Sequence, residues 1–412
     1  MKHLEGHNVL TDYQHGFRAK RSTETQLILT VHDIAGALNN KRQVDLAILD
    51  FTKAFDKVPH SRLISKLEHY GIQGTTLNWL KAFLTNREQT VVVEGKASAP
   101  VKVASGVPQG TVLGPLLFLL YINDLPDQLD SSVRLFADDC LLYVELSTKE
   151  DSLLLQKDLN TLEEWQRKWL MQFNPDKCYI MHITNKRTPN VSPYQFCGQT
   201  LATTKTHPYL GVTLTTGLKW GVHVNKITTK AKQTLGVIKR NLWACPARVK
   251  SLAYTSLVRP NLEYAATVWD PYTKKDKDKL ERVQNQAARF CTNNYSRDAS
   301  VTKMKTDLQW TSLEDRRKMS RLCMMYKMTN KLVDVPTDKY LTPAQKRTRN
   351  SHAFKYQSYQ PRIDVFKNSY FPRTIVEWNM LSPSTVGASS LDSFREHLHI
   401  DVQKLGVMSR SV

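Results

Sequence analysis

Three aspartates carry most of the chemical information in this chain. Asp50 closes the apolar run 44–51 (VDLAILDF), and Asp138-Asp139 separate two further apolar runs, 133–136 and 140–144. An acid at the end of a strand and two at a tight turn converge only if those strands are neighbours in one sheet. Three carboxylates meeting at a sheet edge repel one another unless divalent cations neutralise them. Hard oxygen ligands suit Mg²⁺, which keeps waters and shares phosphate oxygens with a substrate. Two such ions can clamp the attacking and leaving oxygens of an in-line phosphoryl displacement. An isolated Asp-Asp more often does no more than make a turn, because Asp favours turns. Here the surrounding elements shift the balance.

Those elements are read as follows. Residues 44–51 form a buried strand, and Ala137-Asp138-Asp139 make the turn of a hairpin. Gly106-Val107-Pro108-Gln109-Gly110 is a breaker-rich loop that leads into an apolar helix over 112–122. Ser147-x-x-Glu150 has the form of a capping box, opening a helix marked by Leu155, Leu159, Leu162, Trp165, Trp169 and Phe173. Up to about residue 215, short β-rich runs alternate with helical stretches, as in α/β or α+β architecture. From Trp220 to Lys331 the pattern is almost wholly helical, with Leu235, Ile238 and Leu242 at helical spacing and Pro246, Pro260 and Pro271 as punctuation. After Pro336 a Lys/Arg/Tyr-rich loop (339–373) precedes a terminal helix carrying Leu391, Phe394 and Leu398. The expected division is therefore 1–215, 216–335 and 336–412.

The 412 residues hold 58 Lys and Arg against 38 Asp and Glu, a net charge of +20. Such an excess points to a polyanion as partner, and more of it falls in residues 241–412 than before them. With 41% hydrophobic residues the chain is neither a disordered polyelectrolyte nor a membrane protein. Its most apolar stretch, 112–122, falls far short of the ~20 apolar residues that span a bilayer. The six cysteines stand apart, with no spacing for a zinc site. Lys2, His3, Glu5 and His7 interrupt any signal-peptide core. The expected setting is nuclear or cytoplasmic, with reduced thiols.

Five segments in order now carry a resemblance: Asp50-Phe-Thr-Lys-Ala-Phe-Asp56, Gly106 to Pro115, Phe136-Ala-Asp-Asp139, Asn174-Pro-Asp-Lys177 and Tyr209-Leu-Gly-Val212. Together they resemble the ordered motifs of a reverse transcriptase. Their forms are similar to those of non-LTR (LINE-type) retrotransposons of the jockey-like branch. The resemblance is strong over residues 10–215 and looser beyond.

It implies an α+β right-hand polymerase fold, with partial fingers and palm in 1–215, a helical thumb in 216–335 and a C-terminal segment of unassigned role in 336–412. It implies RNA-directed DNA synthesis from an RNA template, a DNA primer and dNTPs, with two Mg²⁺ ions as cofactor or Mn²⁺ in their place. Asp50 and Asp138 match the metal-bridging aspartates and Asp139 the third carboxylate, while the Phe51 carbonyl adds an oxygen. Phe55 matches the ring that blocks a ribose 2′-hydroxyl. Gln109 and Gly110 match the loop that contacts the incoming nucleotide, and Lys177 matches a lysine that protonates the leaving pyrophosphate. Tyr209, Leu210 and Gly211 are similar to the primer grip. Gly16 to Thr23 resembles the fingers motif, with Arg18, Lys20 or Arg21 facing the triphosphate.

In the thumb, Lys226, Lys230, Lys232, Lys239 and Arg240 could follow a template–primer backbone; a solvated Lys-rich face is the competing reading. Trp269, Tyr272, Trp310, Tyr356 and Tyr359 suit either base stacking or a core. Asp56 receives no role. Compared with the family, the chain starts late: the upstream fingers strands, an endonuclease domain and a zinc knuckle are missing, as expected of an N-terminally truncated copy. The alternative function is an inactive remnant that still binds nucleic acid.

Overall fold

The computed structural model describes residues 2–148, 150–345 and 352–408. The basic loop read over 339–373 and the segment 336–412 thus lie partly outside the described residues. The chain divides into two compact units, Met1–Gln26 with Lys41–Lys205 and Leu27–Asn40 with Thr206–Val412. The division falls inside helix α1 (Thr23–Asn39).

The first unit is built on a mixed sheet. Its strands among the described residues are β1 (Gln43–Leu49), β2 (Ser132–Phe136), β3 (Asp139–Leu146), β4 (Tyr179–Ile183) and β5 (Ala202–Thr203), in the order β5-β4-β1-β3-β2. β1 lies at the centre, antiparallel to both β3 and β4, and is buried along its whole length. A near-continuous apolar run is what a strand covered on both faces requires.

Helices α2 (His60–His69), α3 (Gly74–Leu84), α4 (Leu113–Ile122) and α5 (Asp151–Trp169) share one core with this sheet. Leu155, Leu159 and Leu162 of α5 are fully buried within it. Each contributes roughly 1.5–3 kcal/mol of hydrophobic stabilisation.

Two buried acids fasten the sheet. Asp45 of β1 accepts from His182 Nδ1 (2.8 Å), Tyr194 OH (2.6 Å) and Gln43 Nε2 (2.7 Å), so its charge is compensated and β4 is pinned to β1. Asp158 of α5 accepts from the backbone N–H of Asp130 (3.1 Å) and Ser131 (2.6 Å), which fixes the entry to β2.

The start of α5 departs from the expected capping box. The helix begins at Asp151, and the Asp151 carboxylate reaches back to the N–H groups of Ser147 (2.6 Å) and Thr148 (2.8 Å). These hydrogen bonds hold the Asp151 carboxyl below the usual carboxylate range. A short acid at the first helical position thus takes the Ser147 N–H assigned to Glu150.

The second unit opens on a hairpin of β6 (Thr206–Tyr209) and β7 (Val212–Thr215), with Tyr209 opposite Val212. Leu210 and Gly211 turn the chain with φ of +45° and +82°, the backbone that a two-residue hairpin loop calls for. The principal helices that follow are α6 (Gly221–Asn241), α7 (Lys274–Thr292), α8 (Leu313–Thr329), α9 (Tyr370–Trp378) and α10 (Leu391–Met408). On α6, Val224, Ala231, Leu235 and Ile238 are buried, whereas Lys226, Lys230, Lys232 and Arg240 are exposed. The helix therefore has one core face and one basic face.

Asp270 lies at the centre of a buried ionic network. It meets Arg317 at 2.6 Å, Arg321 at 3.1 Å and Arg373 at 3.2 Å, while Arg321 also reaches Glu377 at 2.8 Å. The C-terminal segment also wraps the α1 residues of this unit. The His32 ring sits 4.9–5.5 Å from Tyr340, Tyr359, Phe366 and Phe371, and burial pushes its pKa down to about 4. Trp269 and Trp310 are buried. Tyr356 and Tyr359 bond Thr329 and the Tyr340 carbonyl. Trp269 and Trp310 accordingly belong to the core, whereas Tyr356 and Tyr359 are half-buried. No helix among the described residues is long and apolar enough to cross a membrane.

Candidate active site

Asp50 is the first residue beyond β1, and the β1–β3 register pairs Leu49 with Cys140. Continuing that register by one step sets Asp50 beside Asp139, the first residue of β3. Asp138 occupies the β2–β3 turn, where Ala137 takes φ +52° and Phe136 pairs with Asp139. Strand geometry alone thus brings three carboxylates from two distant segments to one sheet edge.

Their electrostatics follow from that proximity. Burial first, and then the Asp138 and Asp50 carboxylates, push the Asp139 carboxyl up to about 6. Asp138 is raised chiefly by burial, with a further push from Asp50. The cluster disfavours its own charge, the condition that a divalent cation relieves. The donor set fits such an ion, since carboxylate oxygens are hard ligands. Among the described residues, no group of three or more His, Cys, Asp or Glu already stands in metal-holding geometry.

Phe51 is buried, with its ring stacked on Phe173 at 4.2 Å. The flanking bonds Asn174 N–H to Asp50 O (2.7 Å) and Thr52 N–H to Gln172 O (2.8 Å) lie on one side of the strand. Strand alternation then directs the Phe51 carbonyl to the opposite side, towards β3. The same Asn174 contact carries the short turn Pro175–Lys177 to the site, and Lys177 Nζ lies 3.5 Å from Asp50 Oδ2.

Phe55 sits in the short turn Ala54–Asp56, its ring stacked on Phe118 at 4.5 Å. Gln109 and Gly110 are exposed. Gln109 Nε2 donates to Asp56 Oδ1 at 3.0 Å, and Ser105 Oγ donates to the Asp56 carbonyl at 2.9 Å. Gly106 packs so closely that a Cβ there would lie 2.7 Å from the Asp56 carbonyl oxygen, and its φ is +91°. Only glycine meets both conditions. Asp56, which received no role from the sequence, thus helps tie the Pro-Gln-Gly loop to the Asp50 segment, beside Phe55 and Val58, whose carbonyls accept from the Val107 and Gly106 N–H groups. Nothing in a linear motif announces a partner so far along the chain.

Arg18 and Arg21, expected to face the triphosphate, lie in the loop that precedes α1. Arg21 has a side chain only 5% exposed, with Nη2 2.7 Å from Asp12 Oδ1 and Nη1 on the carbonyls of Asp12 and Gln14. Arg18 Nη1 donates to the carbonyls of Leu10 and Thr11. Both guanidinium groups hold backbone carbonyls of residues 10–14. Lys20 is exposed.

In the second unit, Tyr209 is buried, and the β6–β7 tip is held by Tyr264, whose OH donates to the Leu210 carbonyl at 3.1 Å. The Tyr264 ring also packs on Gly211, where a Cβ would approach it to 2.8 Å.

Residues 1–214 match the family model described as reverse transcriptase (RNA-dependent DNA polymerase). The chain is 31% identical over 303 residues to a probable RNA-directed DNA polymerase from transposon BS of Drosophila melanogaster, covering 69% of this chain and 33% of that relative. It is 29% identical over 323 residues to the RNA-directed DNA polymerase from mobile element jockey of the same species, covering 72% and 34%. An apo telomerase structure from Candida tropicalis aligns at a TM-score of 0.40 and 11% identity, over 74% of this chain and 49% of that one. The chain spans about a third of the length of the curated relatives it matches. The family model takes in more than half of the residues, and the chain belongs to the reverse transcriptase family.

Proposed function

We propose that this chain carries the polymerising core of a non-LTR retrotransposon enzyme that copies an RNA template into DNA. The observation that supports it most is the convergence of Asp50, Asp138 and Asp139 at one sheet edge, where burial and mutual repulsion raise the Asp138 and Asp139 pKa values. In the reaction the 3′-hydroxyl oxygen of a DNA primer bonds to the α-phosphorus of a dNTP, the bond to the β-phosphate oxygen breaks and pyrophosphate leaves. Two Mg²⁺ ions, or Mn²⁺ in their place, held by the three aspartates and the Phe51 carbonyl, would supply charge neutralisation at the reacting phosphate.

The remaining roles belong to the chain itself. The Lys177 ammonium, beside Asp50, donates a proton to the departing pyrophosphate. Phe55 excludes a ribose 2′-hydroxyl, while Gln109 and Gly110, anchored on Asp56, meet the incoming nucleotide. The Tyr209-Leu210-Gly211 hairpin positions the primer end, and the basic face of α6 follows the backbone of the template–primer duplex. Such an enzyme works in a nuclear or cytoplasmic setting.

Primer extension on an RNA template with Mg²⁺ and dNTPs tests this reading. DNA product made only when template is present supports it. Primer–template binding that weakens steeply with salt, without any extension, would sink it.

A further inference from the structure

Phe17 is an outlier. It is a large aromatic, 58% exposed, with φ +54°. A bulky residue in the left-handed region is strained and persists only where its surroundings impose it. Here they do. The Gln14 Oε1 accepts from Gly16 N–H (2.7 Å) and Ala137 N–H (2.9 Å), and its Nε2 donates to the Ala137 carbonyl (3.3 Å). On either side, His15 N–H donates to the Leu135 carbonyl and Leu135 N–H to the Tyr13 carbonyl. Gly16 is pressed so tightly that a Cβ would stand 2.3 Å from the Ala137 nitrogen. The Gly16-Phe17 turn is therefore seated on the residue that precedes Asp138.

This seat delivers the Phe17 ring to Phe55. The two rings meet edge to face, 6.3 Å between centroids and 83° between planes. Phe55 also stacks on Phe118, which is fully buried and cannot yield. An edge-to-face pair with a stacked pair behind it restricts both tilt and slide of the middle ring.

We propose that Phe17 is a positioning residue for sugar selection: it holds the Phe55 ring in the orientation that excludes a ribose 2′-hydroxyl. The proposal rests on Phe55 being the ribose gate. It explains why an exposed phenylalanine is kept in an unfavourable backbone conformation one turn from the catalytic aspartates. Pocket contacts of this size discriminate substrates by about tenfold or more. A gate ring freed on one side loses that part of its selectivity.

The experiment measures kcat/KM for CTP and dCTP in single-nucleotide extension on an RNA template. Parent, F17A, F17L, F17Y, F55V and the F17A/F55V double variant are compared, F17L being the milder change should alanine loosen the turn. F17A or F17L should raise CTP use relative to dCTP by about tenfold, chiefly through a lower KM for CTP, and F17Y should restore the parental ratio. F55V should raise the ratio further, and F17A should add nothing to F55V. If F55V shifts the ratio but neither F17A nor F17L does, or if F17A adds its full effect to F55V, the proposal for Phe17 is overturned while the gate stands. If F55V leaves the ratio unchanged, or the parent extends no primer, the gate reading fails and takes this proposal with it.

Discussion

Asp56 Oδ1 accepts a hydrogen bond from Gln109 Nε2 at 3.0 Å, joining two exposed side chains from segments far apart in sequence. The bond ties the loop read as meeting the nucleotide to the turn that carries Phe55. Asp56→Ala should therefore lower kcat/KM for dNTPs by about tenfold, a loss expected when a positioning contact is removed. Asp56→Asn keeps an acceptor oxygen and should retain most of the activity. Because both side chains are exposed, thermal unfolding should shift by no more than about 0.5 kcal/mol. A large stability loss with parental kinetics would assign Asp56 to the fold alone.

The acidic cluster makes a pH prediction of definite sign. Asp139 is raised to about 6 in the folded chain, above its ordinary value of 3.8. Between those values the folded state binds more protons than the unfolded state, so stability falls as pH rises through this window. In EDTA the melting temperature should decline from pH 4 to pH 6 by more in the parent than in Asp139→Asn. A divalent cation should reverse the decline by compensating the ionised cluster. Identical slopes for parent and variant would contradict the assignment.

Asp270 is almost fully enclosed by Arg317, Arg321 and Arg373. These charges hold the Asp270 carboxyl below the usual range although burial opposes them. Replacing it with alanine leaves buried guanidinium groups uncompensated, a loss of about 3–5 kcal/mol. Denaturant unfolding of Asp270→Ala measures this directly. A loss under 1 kcal/mol would mean that water or Glu377 takes over.

The exposed lysines of α6 lead to a different observable. Lys226→Ala and Lys230→Ala should each weaken template–primer binding without changing template preference, and each should reduce the slope of log K against log salt by about one. Unchanged slopes would return this face to plain solvation.

Much of this site was legible in the sequence because it is built from local signals. The run 44–51 is apolar without alternation, which identifies a strand buried on both faces. The Ala-Asp-Asp turn lies between two β-rich runs, and β1 and the β2–β3 hairpin form as those patterns require. The contacts of Arg18 and Arg21 were largely hidden, because several of their partners are backbone carbonyls of residues 10–14, which leave no mark in a sequence, although Arg21 also pairs with the Asp12 carboxylate. Asp56 was hidden for the related reason that a lone acid gives no sign of which distant amide it will meet. The aromatic residues Trp269 and Trp310 could not be divided between stacking and core by type alone, since burial is set by the packing of separate helices. Ser147 and Glu150 had the right letters for a cap, but Asp151 takes the Ser147 N–H that Glu150 would have held, and the Thr148 N–H with it.

The most direct test of the central claim is primer extension by Asp138→Asn beside the parent, with primer–template affinity measured on both proteins. Asparagine preserves size while removing one charge from the cluster. Extension should fall by about a thousandfold or more, the scale of losing an essential electrostatic group, with affinity for primer–template nearly intact. Equal extension by parent and Asp138→Asn would contradict the account.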